Sequence, residues 1–218
     1  MKKPKTALVL FSGGRDSSAA AVELAKQGYM VRLYTCQNGS ELSGPLGDSA
    51  PDIRHRELVK AFPNNIEAIR IIEDKSYLIR KLGIEKTNVE YVIYPLVLAL
   101  ATHSFAVRYC LNHKIKIMAS GYSGHQSKKE NKYIEQRNDF VNLTKKLLKE
   151  YGISYLTPVI NKTELEVKDI LEQQGISSNS LEIKSIFGGI PYDIKKSLGF
   201  WKASLPICKD FIKSSKQK

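Results

Sequence analysis

The chain has 218 residues, of which 42% are hydrophobic and 26% charged, and a formal net charge of +12. This length fits one α/β domain, or one domain with a small appendage, and the composition is ordinary for a globular protein that builds its core without disulfides or metals. Cys36, Cys110 and Cys208 are widely spaced and form no CxxC pair. This argues against a disulfide framework and against a zinc site made of cysteines alone.

The positive charge favours polyanionic partners, because a protein that neutralises phosphates releases their counterions. The lysines are spread along the chain, however, and no aromatic residues alternate with them as they would in a base-stacking surface. A solvated basic surface explains the charge equally well. Charge therefore leaves the substrate open, and tRNA stays among the candidate partners.

No apolar run in the sequence has the length of a membrane span. The run at residues 7–11 meets glycines after five residues, which is too short for a secretory signal. The run at residues 92–101 has about half of the roughly 20 residues that a span requires, and Pro95 interrupts it. We therefore expect a cytoplasmic protein that does not contact a membrane.

The first part of the chain predicts a strand, a tight loop, a helix and a second strand. Residues 6–11 form an apolar run with β-branched members, which is typical of a parallel strand buried on both faces. Residues 16–27 have helical apolar spacing, and Gly28 follows as a C-cap would. Residues 29–36 again favour a strand, so this succession is a βαβ unit.

The alternation continues along most of the chain. A glycine- and proline-rich loop at residues 39–51 is followed by predicted helices at 52–62, 91–113, 139–151 and 163–174, and by predicted strands at 68–72, 115–119 and 154–160. The helix at 91–113 would be the longest. Alternating strands and helices of these lengths predict an α/β fold with a doubly wound parallel sheet.

The pattern weakens after residue 175. Turn-forming residues cluster at 177–180, two glycines at 188–189 interrupt the chain again, and the end of the chain is polar and lysine-rich. We therefore predict two parts, an α/β domain at residues 1–175 and a small irregular C-terminal appendage with a basic tail at residues 176–218.

Residues 12–18, with the sequence SGGRDSS, follow the first strand directly. Ligands of open parallel sheets bind beyond the carboxyl ends of the strands, so this loop is a candidate site. Gly13 and Gly14 let the backbone turn sharply and approach an anion, which the amide groups at the helix N-terminus attract. The hydroxyls of Ser12, Ser17 and Ser18 can each donate to phosphate oxygens.

Asp16 is unexpected in a site for anions, because a carboxylate repels phosphate. A Mg²⁺ ion between the two would account for it, since Mg²⁺ is commonly held by one or two carboxylates together with substrate phosphates. Asp16 could instead cap the helix. The loop therefore predicts a nucleotide-binding domain at residues 1–175, with or without a metal ion.

The sequence of this loop matches neither of two common nucleotide-binding motifs, GxxxxGK[ST] and GxGxxG. An apolar strand followed by SGGRDSS instead resembles the PP-loop of the ATP pyrophosphatases, whose pattern SGGxDS is satisfied at every position. The resemblance implies an adenine nucleotide alpha hydrolase-like fold. It also implies an enzyme that cleaves ATP to AMP and pyrophosphate, adenylating a substrate oxygen that a nucleophile then displaces from AMP. It assigns ATP binding to Ser12, Gly13, Gly14, Arg15, Ser17 and Ser18, and Mg²⁺ binding and a catalytic role to Asp16.

Two further segments narrow the resemblance to one branch of the PP-loop enzymes. Residues 120–124 (SGYSG) and 157–164 (TPVINKTE) are similar in order and spacing to those of the 7-cyano-7-deazaguanine synthases of the queuosine pathway. This resemblance extends over roughly residues 6–190. It implies a synthase that adenylates a small-molecule carboxylate, a deazaguanine, and with ammonia converts it through an amide to a nitrile.

The same resemblance suggests residues for the acceptor. It implies that Lys162 is a catalytic residue that contacts phosphate or the adenylate, and that Gly121, Tyr122 and Ser123 line the substrate pocket. Lys162 could equally be a surface lysine at the start of a helix. His125, next to this turn, is placed to meet a ligand.

The C-terminal region departs from those synthases, which carry four zinc-binding cysteines there. Here only Cys208 stands in the corresponding region, so we do not expect a structural zinc ion. The acceptor therefore stays open between a deazaguanine carboxylate, another small heterocycle, a tRNA base that is thiolated or aminated, and a protein terminus. A non-catalytic subunit that binds ATP is the remaining alternative, and the sequence leaves homo-oligomerisation open.

Overall fold

The computed structural model describes residues 4–37, 49–85, 92–127, 133–179, 181 and 191–214. Five parallel strands form one sheet in the order β3-β2-β1-β4-β5. The strands are β1 (Thr6–Leu10), β2 (Met30–Gln37), β3 (Ile71–Asp74), β4 (Ile117–Ala119) and β5 (Ser154–Leu156). This sheet, flanked by helices, confirms the predicted α/β fold.

Helices pack on both faces of the sheet. They are α1 (Arg15–Lys26), α2 (Ala50–Ala61), α3 (Ser76–Arg80), α4 (Tyr94–Asn112), α5 (Gly124–Ser127), α6 (Asn138–Lys149), α7 (Glu164–Glu172) and α8 (Ile194–Lys213). A π-helical turn at Lys81–Glu85 continues α3, and a 3-10 turn at Ile134–Gln136 precedes α6. Within the described ranges, no helix is long and apolar enough to cross a membrane.

The central strand β1 has both of its faces covered. Ala7, Leu8 and Val9 are fully buried, and successive side chains of a strand point to opposite faces. Ala7 and Val9 pack with apolar residues of α1 and α7, whereas Leu8 packs with those of α4 and α6. A strand buried in this way must be apolar at consecutive positions, which is why its sequence pattern predicted it well.

The strands and helices predicted between residues 6 and 174 are present with shifted ends, and the two edge strands differ most. β3 lies at Ile71–Asp74 rather than at residues 68–72, and Ile69 is 75% exposed. β5 ends at Leu156 rather than at residue 160. An edge strand has a neighbour on one side only, so its sequence pattern constrains its ends weakly. Most of the predicted loop, up to residue 48, lies outside the described residues.

The C-terminal segment corrects the prediction of an irregular appendage. Ile194–Lys213 form α8, which has 20 residues and is the longest helix in the described part of the chain, ahead of the 19 residues of α4. Asp193 begins it, because its side chain accepts a hydrogen bond from the backbone amide of Lys196 at 2.7 Å. Its buried side chains share one face that packs against the core: Ser197, Phe200, Trp201, Ser204, Cys208 and Ile212.

Two residues with low helix propensity explain why the sequence did not predict α8. Gly199 and Pro206 lie within it, and both residue types normally argue against a helix interior. Packing against α4 outweighs their low helix propensity. The division of the chain at residue 175 stays a prediction.

Candidate active site

The loop between β1 and α1 depends on glycine at position 13. Gly13 has φ = +81°, in the left-handed region that other residues rarely adopt. A Cβ atom there would also lie 2.4 Å from the backbone nitrogen of Pro51, at the start of α2. Neither the backbone conformation nor the available space therefore admits a side chain.

Helix α1 begins at this loop. Its N-cap residue is Gly14, which has no side chain to cap the first amide groups. The hydroxyls of Ser17 and Ser18 donate to the Gly14 carbonyl oxygen at 3.1 and 2.7 Å. Ser12 is exposed, and its Oγ atom lies 3.2 Å from Ser17 Oγ. The serines thus shape the turn, and the amides of the first helical turn are available to an anion.

Three loops at the carboxyl ends of strands meet at the start of α1. A Cβ atom on Gly121, which follows β4, would lie 2.3 Å from the backbone nitrogen of Ser17. A Cβ atom on Gly124 would lie 2.8 Å from the carbonyl oxygen of Ile160, which follows β5. These close backbone approaches join the loops after β1, β4 and β5 into one cluster, at the end of the sheet where ligands of parallel sheets bind.

Asp16 lies inside this cluster. Its side chain is 13% exposed, and its Oδ2 atom accepts a hydrogen bond from the Ser123 hydroxyl at 3.1 Å. The other oxygen, Oδ1, is buried and has no hydrogen-bond partner among the described residues. Burial raises the pKa of the Asp16 carboxyl, while His125, Ser123 and Arg15 oppose the increase. The site therefore holds a buried carboxyl group with one oxygen free for a ligand.

His125 faces the same carboxyl group. Its Nε2 atom lies 3.8 Å from Asp16 Oδ2, and its side chain is 15% exposed. Its other nitrogen, Nδ1, is buried and without a hydrogen-bond partner in the part of the chain that the structure describes. Buried polar atoms are usually paired, so two unpaired atoms on neighbouring side chains beside an anion-binding loop indicate a ligand site.

Two basic side chains of the predicted site are engaged in ion pairs. Arg15 Nη1 lies 2.9 Å from Glu164 Oε1, which joins the start of α1 to the start of α7 and lowers the pKa of Glu164. The Lys162 amine lies 3.5 Å from Glu166 Oε1, and the Lys162 backbone, rather than its amine, packs against Gly124. A contact between Lys162 and phosphate stays a prediction.

A buried polar network lies next to the loop after β4. The Tyr155 hydroxyl, on β5, is 2.7 Å from Ser120 Oγ and 2.9 Å from His103 Nε2. His103 Nδ1 donates to the carbonyl oxygen of Ala99 at 2.6 Å. Burial lowers the pKa of His103 to about 4 and raises that of the adjacent Tyr122 well above its usual range. The network therefore carries no charge near neutral pH.

Some residues that support the site were missed in the sequence. Gln136 is buried, and its Oε1 atom accepts a hydrogen bond from the Ser123 amide at 3.2 Å. It belongs to a short 3-10 turn, which has no periodic pattern to reveal it. The sequence did point to the region of Glu164, because this residue ends the TPVINKTE segment. Only the fold shows that it pairs with Arg15.

The donor atoms of the cluster fit a magnesium ion that is held mainly by phosphates. Asp16 Oδ1 is a free carboxyl oxygen beside the anion-binding loop, and Mg²⁺ commonly takes one or two carboxylates plus substrate phosphates. The residues that the structure describes contain no group of three or more His, Cys, Asp or Glu side chains that could hold a metal ion by themselves. A metal ion here would therefore depend on the nucleotide for most of its ligands.

The three cysteines are all buried and form no disulfide. Cys208 lies on α8, where burial raises the pKa of its thiol to about 11. A buried, protonated thiol is a poor metal ligand, because the thiolate is the form that binds. The expectation that no structural zinc is bound stays a prediction.

The sequence matches one protein family over most of its length. The family is "Queuosine biosynthesis protein QueC", and the match covers residues 6–181. The chain belongs to this family. The matched region contains the SGGRDSS loop and the segments after β4 and β5 that surround Asp16. Membership of the QueC family confirms the predicted resemblance and makes this chain a PP-loop, ATP-using enzyme.

Several solved structures resemble this QueC family member at low sequence identity. The U34-tRNA thiolase NcsA from Methanococcus maripaludis, with its [4Fe-4S] cluster, has a TM-score of 0.54 and 16% identity, over 100% of this chain and 74% of that one. A 4-thiouridine synthetase in complex with RNA and bound ATP has a TM-score of 0.55 and 14% identity, over 97% of this chain and 53% of that one. Identities this low support the shared fold alone.

One further structure covers less of the chain. A predicted subunit of a tRNA methyltransferase from Methanocaldococcus jannaschii has a TM-score of 0.45 and 20% identity, over 80% of this chain and 90% of that one. No curated protein sequence matches the chain significantly.

Proposed function

We propose that this protein is an AMP-forming ligase or synthase that uses ATP to adenylate a substrate oxygen and releases pyrophosphate. The observation that carries the proposal is the unpaired Oδ1 oxygen of Asp16, buried beside the first turn of α1. A carboxylate in that position repels phosphate unless a cation lies between them. The loop and the carboxylate together therefore fit a nucleotide bound with Mg²⁺.

Each residue of the cluster has a role in this proposal. The backbone amides of residue 13 and residues 15–17 and the exposed Ser12 hydroxyl bind phosphate oxygens. Asp16 holds Mg²⁺, which supplies charge neutralisation at the phosphates. Ser123 fixes the Asp16 carboxylate by donating to its Oδ2 atom, and His125 offers its free Nδ1 to the nucleotide or the acceptor.

The proposed reaction needs no covalent bond to the protein. The substrate oxygen attacks the α-phosphorus of ATP, and the bond from that phosphorus to the bridging oxygen breaks, so pyrophosphate leaves with the electron pair. Ammonia then attacks the activated carbonyl carbon, loses a proton and expels AMP, which gives an amide. Adenylation of the amide oxygen by a second ATP releases a second pyrophosphate, and loss of AMP and of both N–H protons then gives a nitrile. Positioning and electrostatic stabilisation are what the protein contributes.

For the acceptor we propose a deazaguanine carboxylate, with ammonia as the nucleophile. Membership of the QueC family supports this choice. Gly121, Tyr122 and Ser123 would line the acceptor pocket, since their loop contacts α1 at one end and the Tyr155 network at the other. Lys162 would contact phosphate or the adenylate after its exposed side chain turns from Glu166.

Substitution of Asp16 by Asn tests the proposal. With carboxylated deazaguanine, ammonia and ATP, we expect pyrophosphate release to fall by roughly 100-fold, the scale for removing one electrostatic contact to a reacting group. Asp210→Asn, on the exposed side of α8, is the matched control and should keep wild-type activity. Wild-type turnover in the Asp16→Asn variant would contradict the proposed role of Asp16.

Loss of folding should not explain the loss of activity. Burial raises the Asp16 pKa above 3.8, so the native state holds the proton more tightly than the unfolded state does. Stability therefore falls as pH rises through the raised pKa, and Asn removes this cost. Thermal unfolding at pH 7 should show the Asp16→Asn variant to be at least as stable as the wild type.

A tRNA base is the second candidate acceptor, and the net charge of +12 favours it. The same pyrophosphate assay with bulk tRNA in place of the deazaguanine separates the two. Turnover with tRNA alone, together with binding that weakens steeply as salt rises, would identify a tRNA-modifying enzyme. Nucleotide binding without turnover on either acceptor would instead indicate a non-catalytic subunit.

A further inference from the structure

A second buried acid lies next to the proposed nucleotide site. Glu135 belongs to the 3-10 turn Ile134–Gln136, between two buried residues. Its Oε2 atom is buried and has no hydrogen-bond partner within the described ranges. Burial raises the pKa of its carboxyl group, and leaving a buried acceptor unpaired costs free energy. Among the described residues, no hydrogen bond to Oε2 offsets that cost.

Hydrogen bonds fix the turn of Glu135 to the active-site loop. The neighbouring Gln136 accepts from the Ser123 amide at 3.2 Å through Oε1, and its Nε2 atom donates to Gln126 Oε1 at 2.6 Å. The Ser123 hydroxyl in turn donates to Asp16 at 3.1 Å. Glu135 is therefore attached to the side of the loop that also positions the catalytic carboxylate.

The charge of Glu135 acts on three tyrosine side chains. Burial raises the pKa of Tyr122, Tyr155 and Tyr192, and in each case the nearby negative charge of Glu135 adds to the increase. Tyr122 belongs to the loop after β4, and Tyr192 immediately precedes α8. Glu135 is therefore close enough to tyrosines from separate parts of the chain to influence their ionisation, and no described lysine or arginine forms an ion pair with it.

We propose that Glu135 recognises the acceptor substrate, a planar heterocycle whose ring-edge N–H donors bind the Glu135 carboxylate beside the loop after β4. An ionised carboxylate only accepts hydrogen bonds, and its two oxygens match two parallel N–H groups. The inference rests on the proposed function, because it assigns the group that holds the acceptor of that reaction.

The same charge orients the substrate. A carboxylate of the acceptor is repelled by Glu135, so it points away from this acid, while the amino edge of the ring points toward it. Asp16, with a cation bound, attracts the phosphates and the reacting carboxylate at the other end of the loop. Glu135 would therefore select heterocycles that carry an amino group at the edge opposite the carboxylate.

The test compares two carboxylated deazapurines that differ only in the exocyclic amino group, in wild type and in Glu135→Gln. We expect the wild type to prefer the amino-bearing compound, and Glu135→Gln to raise KM for that compound by roughly 10- to 100-fold, the scale for a hydrogen bond to a charged group. The KM for ATP should stay unchanged, and the preference between the two compounds should disappear. Glu150→Gln, which removes an exposed carboxylate paired with Lys209, is the matched control.

Calorimetric titration of each heterocycle without ATP separates this inference from the proposed function. If the wild type binds the amino-bearing compound and Glu135→Gln does not, the inference stands even when no pyrophosphate is released. If both proteins bind both compounds equally, or if neither binds either compound, the inference is wrong. Thermal unfolding checks the fold of Glu135→Gln. The variant should be at least as stable as the wild type, because the substitution removes a buried charge.

Discussion

Three polar residues of the site differ from the buried polar residues that support it, because each has an atom without a hydrogen-bond partner in the described part of the chain. Asp16, His125 and Glu135 each keep one buried polar atom without a partner among the described residues. His103 is more deeply buried, yet both of its ring nitrogens are bonded, to Ala99 and Tyr155. Unpaired atoms cost stability, and those of Asp16 and His125 belong to neighbouring side chains beside one anion-binding loop, which indicates selection for ligand binding rather than for folding.

His103 makes the stability of the protein depend on pH. Burial lowers its pKa from 6.5 to about 4, so between these values the unfolded chain is protonated and the native state is not. The stabilisation is complete above pH 6.5 and is lost as pH falls toward 4, by roughly 3 kcal/mol at 1.36 kcal/mol per pKa unit. Urea unfolding at pH 7 and pH 4 should show this loss in the wild type.

The variant His103→Gln should lose most of that pH dependence, although it is less stable at pH 7. His113→Gln, at the exposed C-terminal end of α4, is the control and should behave like the wild type. Equal losses of stability between pH 7 and pH 4 in wild type and His103→Gln would contradict the assignment of a neutral, buried His103.

At the scale of elements, the site is made by the close approach of three strand ends. The loop after β4 touches the first turn of α1 at Gly121, and it touches the loop after β5 at Gly124. The Arg15–Glu164 pair adds a side-chain link between α1 and α7. The geometry of the anion site is therefore set jointly by β1, β4 and β5, and a change in one loop moves the others.

Substitution of Gly121 by Ala should damage nucleotide binding without touching any functional side chain. The added methyl group would lie 2.3 Å from the Ser17 backbone nitrogen, so the start of α1 must shift. We expect the midpoint of thermal unfolding to fall, by an equivalent of about 1–3 kcal/mol for overpacking, and ATP affinity in calorimetric titration to fall with it. Gly83→Ala, where the added methyl group meets open space, is the matched control. Wild-type ATP affinity in Gly121→Ala would show that the loops move independently.

At the scale of the whole molecule, α8 closes one side of the core. Trp201 is 2% exposed and lies edge-on to Phe140 of α6, with the ring centroids 5.8 Å apart. Cys208 and Phe200 belong to the same cluster, together with apolar residues of α4. Residues after 193 therefore contribute to the same hydrophobic core as the central helices.

Removal of the Trp201 side chain tests whether the chain unfolds as one unit. We expect Trp201→Ala to lower the free energy of unfolding by about 3–5 kcal/mol, a large part of the roughly 5–15 kcal/mol that stabilises a typical domain. Guanidinium unfolding should remain a single transition with a lower midpoint, whereas Lys202→Ala, exposed on the same helix, should change little. An unchanged midpoint in Trp201→Ala, or a second transition, would indicate that residues 176–218 fold as a separate part.

The accuracy of the sequence-based predictions followed the strength of local constraints. The residues of β1 are buried on both faces, and Gly13 needs a positive φ, so the strand and its loop were readable from residue types alone. β3 and β5 are edge strands whose ends depend on their neighbours. α8 was missed because Gly199 and Pro206 contradict local propensity, and only packing on α4 compensates for them.

The sequence by itself determined the βαβ beginning, the parallel sheet and the anion-binding loop, because these depend on hydrophobic spacing and on glycine, which act over a few neighbouring residues. Tertiary structure alone decided that Ser123 and His125 meet Asp16, that Arg15 pairs with Glu164, and that Glu135 is buried with a free oxygen. These contacts join residues about 100 or more positions apart, or depend on burial. No short-range pattern encodes them, because they arise only when parallel strands bring their carboxyl ends to one edge of the sheet.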